Sequence, residues 1–291
     1  IMGGWASGGP GPGDGMVRAQ KKYGKLPWAA FLQPAIDLAE KGTIQTEKEA
    51  RGLNAIREVL GKVNPGSNYF LRPDGRAWQA GDTLFQPDLG RVLRLIQQKG
   101  RKGFYDGEVA DLLVAEMQQG GGIISKKDLQ KYRAQWRKPV VGSYKNYTLI
   151  TMPPPSSGGI ALMQLLRLTE PFPLRRWGWN SDSTTQVMIE AERRVYADRA
   201  KFLGDPDFVK IPIETLTSYP YLQQRWQDFD FARATDSKAI KGGQIPGYES
   251  LETTHFSVVD KDGNAVAITT TLNGGYGSKV AAKCGGFLRN N

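Results

Sequence analysis

The stretch TTHFSVVDKDGNAVAITTTLNGGYG, residues 253–277, decides how this chain is read. Apolar and polar residues alternate on both sides of Asp262-Gly263, and an Asp-Gly step between alternating runs signals a tight β-turn. A hairpin is expected from Val258 to Ile268, with Asp262-Gly263 as its turn. The acidic turn Asp260-Lys-Asp262-Gly-Asn264 is not read as a calcium loop. Such a loop needs glycine at its sixth position and a bidentate glutamate at its twelfth, and those positions hold Ala265 and Thr271.

The same stretch carries the chemistry. His255 is the one histidine of the 291-residue chain, so a hydrolase built on a histidine base has a single candidate. Ser156-Ser157, set between prolines and glycines, does not form a Gly-x-Ser-x-Gly elbow, and a lone histidine in a strand is more often structural. A threonine nucleophile needs no histidine: once it becomes a chain terminus, its own α-amino group serves as base. Cleavage between Glu252 and Thr253 would create that terminus. The bland alternative is that Thr253-Thr254 reflects only the β-propensity of threonine.

Bulk composition bounds the remaining classes. With 40% hydrophobic and 23% charged residues, the chain can bury a sizeable core. No apolar run reaches eighteen residues, so no membrane span is expected. The start, Ile1-Met2-Gly3-Gly4-Trp5, lacks the basic and apolar regions of a signal peptide, and its lack of an initial Met places the expected true start upstream. One cysteine, Cys284, excludes an internal disulfide and a thiolate metal cluster. The net charge is +10. The basic residues are scattered as pairs such as Lys21-Lys22 and Arg175-Arg176, so a nucleic-acid partner is not expected. No metal or cofactor is expected either.

Upstream of the hairpin the pattern is helical. Gly8–Gly15 reads as a glycine–proline loop without the context of a phosphate-binding motif. Helices are expected over 16–23, 29–41 with Gly42 as a C-cap, 47–63, 87–99, 108–118 and 126–132. Ser125 and Asp128 have capping-box spacing, with Asp replacing the usual Glu. A strand-like segment over 140–152 ends at the break Pro153–Gly159. Helices follow over 160–168 and 183–202, then a turn at 204–207. Residues from about 234 to 252 read as an exposed polar linker. The picture is a helix-rich first part, a linker and a strand-dominated tail.

Thr253-Thr-His-Phe-Ser257, Gly263-Asn-Ala-Val266 and Thr269-x-Thr271-Leu-Asn273, closing on Tyr276-Gly277, resemble the signature of the γ-glutamyltransferases (also called γ-glutamyltranspeptidases or glutathione hydrolases). Further motifs resemble that family along nearly the whole chain: Lys22-Tyr-Gly-Lys-Leu-Pro-Trp28, Gln33-Pro-Ala-Ile-Asp-Leu-Ala-Glu-Lys-Gly42, Gly103-Phe-Tyr-Asp-Gly107, Met152-Pro-Pro-Pro-Ser-Ser-Gly-Gly159 and Ala197–Phe208.

The resemblance implies an α/β (α+β) chain, part of the four-layer αββα sandwich of N-terminal-nucleophile hydrolases. Residues 1–252 would belong to a helix-rich large subunit and 253–291 to a small catalytic subunit, paired after self-cleavage at Glu252–Thr253. Thr253 would be the nucleophile, Thr271 would hydrogen-bond its hydroxyl and assist processing, and Asn273 would contact the donor's α-amino and α-carboxyl end. The donor would be glutathione or an analogue, and the acceptor water, an amino acid or a peptide. The resemblance also places the protein in the periplasm or outside the cell. It further implies large-subunit strands and a donor-gripping arginine before this stretch. After it would come an acidic residue for the donor amine, a Ser-Ser pair and Gly-Gly oxyanion donors. The chain is therefore expected to be an internal fragment, inactive alone and poorly soluble for want of strand partners. A cephalosporin- or glutaryl-type acylase and a non-catalytic homologue are the competing readings.

Overall fold

The computed structural model describes residues 7, 8, 10–64, 69–240, 253–281 and 285–290. It contains two compact units, Ile1–Gln135 with Glu249–Asn291, and Trp136–Tyr248. These are spatial bodies, whereas the boundary expected at 252/253 is a covalent one.

The first unit opens with α1 (Pro12–Tyr23), α2 (Trp28–Lys41), β1 (Thr43–Ile44), α3 (Glu47–Val63), β2 (Thr83–Leu84), α4 (Pro87–Lys99), α5 (Lys102–Tyr105), α6 (Glu108–Gln119) and α7 (Lys126–Lys131). Local signals account for several of these boundaries. Thr46 and Glu49 form a reciprocal capping box at the start of α3, and Ser125 and Asp128 form one at α7. Gly42 ends α2 at φ 88°, its N–H donating to the Leu38 carbonyl.

The glycine–proline loop expected over 8–15 is a correction, because α1 already begins at Pro12. Proline in the first helical turn loses no hydrogen bond. The buried Tyr105 holds the turn from outside, its hydroxyl donating to the Pro10 carbonyl at 2.7 Å and accepting from the Asp14 N–H at 3.3 Å. Asp14, 2% exposed, pairs with Arg101 and accepts the Ala134 N–H at 2.7 Å. Around these groups Tyr105, Ala110, Leu113, Met117 and Leu129 form the core of this part of the unit.

The second unit holds β3 (Val140–Tyr144), β4 (Tyr147–Thr151), α8 (Gly158–Thr169), α9 (Leu174–Trp177), α10 (Asp182–Phe202), α11 (Ile213–Leu216) and α12 (Tyr219–Arg225). The single strand-like segment expected over 140–152 is a hairpin, with Tyr144 opposite Tyr147 and Lys145 at φ 51° in the turn. Leu168, Ala191, Val195 and Leu222 form one core cluster, and Val140, Ile160 and Leu216 another.

After the linker, of which residues 241–252 lie outside the described residues, come β5 (Thr253–Val259) and β6 (Ala265–Thr271). Their hairpin extends past the expected 258–268 at both ends. The described residues beyond it are irregular except for a bridge between Ala281 and Leu288, so the tail is less strand-rich than expected. The chain is helix-rich and α+β. Its described strands form three separate two-stranded antiparallel sheets. Among the described residues no helix is long and apolar enough to cross a membrane.

Arg194, 1% exposed, shows how the second unit tolerates a buried charge. Its guanidinium donates to Glu190 and Asp228 at 2.6 Å each and to the Arg225 carbonyl at 2.7 Å, and lies 5.1 Å from the Trp226 ring centroid. Arg194→Met is expected to leave the buried Glu190 carboxylate with Arg193 as its remaining cation and to cost about 3–5 kcal/mol. Urea unfolding followed by tryptophan fluorescence measures this; a loss below about 1 kcal/mol would contradict it.

Candidate active site

The β5–β6 ladder sets Thr253 directly opposite Thr271, followed by Thr254↔Thr270, His255↔Thr269 and Phe256↔Ile268. Directly opposed residues of an antiparallel pair have Cα atoms about 4.5–5.5 Å apart. Alternation divides the hairpin into two faces. His255, Ser257, Thr269 and Thr271 share one face, while Phe256, Val258, Val266 and Ile268 share the other.

The register is held from the turn. Asp260 accepts the N–H groups of Asp262 and Asn264 at 2.9 Å each and the Asn264 side-chain amide at 2.8 Å. These bonds, led by that from the Asn264 side chain, keep the Asp260 carboxyl below its ordinary range. Gly263 takes φ 81°, a conformation glycine adopts without steric penalty. The acidic residues thus organise the turn, and among the described residues no three His, Cys, Asp or Glu side chains are grouped to hold a metal ion.

His255 is engaged across and along the hairpin. Its Nδ1 lies 2.8 Å from the Thr269 hydroxyl and its Nε2 3.3 Å from the Ser257 hydroxyl. In the other unit, the Ser157 hydroxyl accepts from Arg199 Nε at 2.9 Å and Ser156 accepts the Gly158 N–H at 3.3 Å. These contacts give all three residues structural duties.

At the end of β6, the Thr271 hydroxyl accepts the Asn273 N–H at 2.8 Å, joining two of the residues singled out from the sequence. Asn273 is left-handed at φ 73°, as are Tyr276, Gly277 and Lys279 at φ 60°, 55° and 60°. This run of unusual backbone folds the chain into a compact loop, closed by Gly277 N–H to Gly274 O at 2.7 Å. The Lys279 ammonium donates to the Gly275 and Gly277 carbonyls at 2.9 and 3.0 Å.

Distant residues pin that loop. Asn64, just past α3, donates to the Lys279 carbonyl at 2.8 Å and accepts the Ala281 N–H at 2.7 Å. Tyr276 packs against Ala50, Leu53 and Trp78. Ser278, fully buried, donates from its N–H to the Arg289 carbonyl at 2.9 Å. Sequence reasoning missed Asn64 and Arg289. Asn64 had one visible signal, its place at the end of a helical period, where asparagine can terminate a helix. Glu252 lies outside the described residues; Thr253 is placed by its strand pairing.

The chain is similar to known proteins along its whole length. The family model described as Gamma-glutamyltranspeptidase matches residues 1–291. The glutathione hydrolase proenzyme of Escherichia coli strain K12 is 42% identical over 286 residues, covering 98% of this chain and 49% of that protein. The glutathione hydrolase proenzyme of Pseudomonas aeruginosa is 43% identical over 293 residues, covering 100% of this chain and 51% of that protein. The crystal structure of Helicobacter pylori gamma-glutamyltranspeptidase superposes with a TM-score of 0.80 at 38% identity, covering 86% of this chain and 72% of that one. The chain spans about half the length of the curated relatives it matches.

Tight packing in the loop sets up a stability contrast. At Gly277 a Cβ would lie 1.9 Å from the Arg289 carbonyl oxygen, and the backbone is already at positive φ. Gly277→Ala is expected to cost about 2 kcal/mol or more, because a backbone atom must move. Gly61→Ala, on the exposed side of α3 with nothing within 4 Å of its Cβ, is expected to stabilise by about 0.5–1 kcal/mol. Denaturant unfolding of the two variants checks the contrast; equal effects would contradict the packing account.

Proposed function

The chain belongs to the gamma-glutamyltranspeptidase family, and on that basis we propose that it is part of an enzyme that transfers or hydrolyses γ-glutamyl groups with Thr253 as nucleophile. The donor is glutathione or a related γ-glutamyl amide, and the acceptor is water, an amino acid or a peptide. The observation that carries this reading is the ladder register placing Thr253 opposite Thr271, whose hydroxyl is tied to the backbone of Asn273.

The first step makes the nucleophile. The Thr253 hydroxyl attacks the Glu252 carbonyl carbon, the Glu252–Thr253 C–N bond breaks, and an ester with a free α-amine forms. Water cleaves that ester, leaving a Glu252 carboxylate and a Thr253 with both hydroxyl and amine. In turnover the amine takes the hydroxyl proton and Oγ attacks the donor's γ-carbonyl carbon. The proton passes to the departing amine portion as its C–N bond breaks. The acceptor then displaces threonine from the γ-glutamyl ester, so the two half-reactions predict ping-pong kinetics.

Thr271 and Asn273 have supporting roles in this scheme. A hydroxyl that accepts an amide N–H has its own proton to donate, and Thr271 directs it toward the Thr253 oxygen. Asn273, held left-handed at the strand end, is positioned to engage the donor's α-amino and α-carboxyl groups. Rate enhancement would come mainly from fixed hydrogen-bond donors around the developing oxyanion. Residues 1–252 and 253–291 then fall on opposite sides of the cleavage, in a large and a small subunit of one precursor. Export to the periplasm or the medium, and inactivity of the 291-residue stretch by itself, belong to the same reading.

Intact mass and N-terminal sequencing of the complete protein test it. A fragment beginning Thr253-Thr-His-Phe is expected; a single uncut chain in the folded protein would favour a non-catalytic homologue. Thr253→Ala is expected to abolish both cleavage and turnover, Thr253→Ser to retain part of each, and Thr271→Ala to slow processing on the order of 10- to 100-fold. Normal processing in Thr253→Ala would overturn the mechanism. Turnover of γ-glutamyl-p-nitroanilide in preference to glutaryl substrates is expected, and the reverse preference would favour an acylase.

A further inference from the structure

Arg289 presents a buried charge whose partner is not among the described residues. The side chain is 4% exposed, and its Nε, Nη1 and Nη2 all lack a hydrogen-bond partner. Its backbone is held firmly, the carbonyl accepting the Ser278 N–H at 2.9 Å and the Ser278 hydroxyl at 3.3 Å. On either side in sequence, Leu288 bridges Ala281, and the Asn290 side chain accepts the Gly8 N–H at 3.1 Å. The backbone that carries the guanidinium is therefore held by a fixed frame.

Such a state is costly. An arginine in a protein does not shed its proton, and removing its five N–H donors from water without replacement is among the most unfavourable burials available. The same chain shows how it satisfies a comparable group: Arg194 is surrounded by Glu190, Asp228, backbone carbonyls and the Trp226 face. Arg289 has none of these. Glu116 of α6 acts on it through space without a hydrogen bond, and burial pushes the guanidinium below its ordinary pKa.

We propose that Arg289 is the receptor of a carboxylate lying outside the described residues of this chain. A carboxylate matches the planar fork of an arginine with two parallel hydrogen bonds, and it neutralises the charge at the same time. Two sources supply that chemistry: an acidic side chain of the complete protein, or a carboxylate of the bound γ-glutamyl donor. The loop that ends at Ser278 begins at Asn273, so the frame holding Arg289 is continuous with the proposed donor site. Only the donor source rests on the γ-glutamyl reading above; the side-chain source stands without it.

Thermal unfolding of the complete protein without donor, and steady-state kinetics with γ-glutamyl-p-nitroanilide, distinguish the cases for Arg289→Met and Arg289→Lys. If an acidic side chain is the partner, Arg289→Met strands it. Tm then falls by about 5 °C or more, and Arg289→Lys recovers at least half the loss. Where the methionine variant yields no folded protein, folding restored by lysine is the equivalent result. If the donor supplies the carboxylate, Arg289→Met keeps or raises Tm in the free protein and raises KM at least roughly tenfold. A fall in Tm that lysine does not recover overturns the proposal, as does an unlowered Tm with unchanged KM. Failure of the wild-type protein to turn over γ-glutamyl substrates would sink the donor source and the γ-glutamyl reading, and would leave the Tm comparison decisive for the side-chain source.

Discussion

Antiparallel pairing between β5 and β6 is the constraint on which the site depends. Side chains along a strand alternate between faces, so a slip of one residue would put His255 and Ser257 on the opposite side from Thr269 and Thr271. Three devices oppose the slip. Asp260 gathers the turn through three hydrogen bonds and Gly263 supplies its positive φ. His255 bridges to Thr269 across the ladder. The grouping of His255, Ser257, Thr269 and Thr271 on one face is lost in any odd register.

The segment after β6 converts that register into a shaped loop. Asn273, Tyr276 and Lys279 hold left-handed backbone, which costs energy for residues with a Cβ and persists only where the surroundings over-determine it. Here they do. Tyr276 is packed against the α3 and Trp78 cluster, Asn64 binds both Lys279 and Ala281, and Ser278 is sealed against Arg289. The helical part of the first unit thus acts on the candidate chemistry without providing a reacting group.

Buried charge is treated in two ways within this chain. Asp14 and Arg194 are enclosed by partners from several elements, so their burial ties those elements together. Arg289 is buried with no hydrogen-bond partner for its guanidinium among the described residues. The contrast is physical: folding brings hydrogen-bonded ionic partners to the first two within their own units, whereas Glu116 acts on the third only through space.

Much of what acts over a few residues was legible in the chain before it folded, although the turn between Tyr144 and Tyr147 and the short helices α5, α9, α11 and α12 were not. Helix boundaries at α3, α4 and α7, the glycine cap after α2, and the Asp262-Gly263 turn are all local, because capping, periodicity and positive φ involve near neighbours. The family was legible too, since its motifs are contiguous runs, as were Thr253, Thr271 and Asn273 as candidates. Long-range packing helps set the start of α1, where Pro12 fits the first turn and the hydroxyl of Tyr105, some ninety residues away, binds it. The same holds for the grip of Asn64 on Lys279 and Ala281, across 215 and 217 residues, and for the burial of Arg289. No local pattern encodes these contacts. An asparagine or arginine has the same propensity wherever it stands, and its partners are chosen only when distant elements pack.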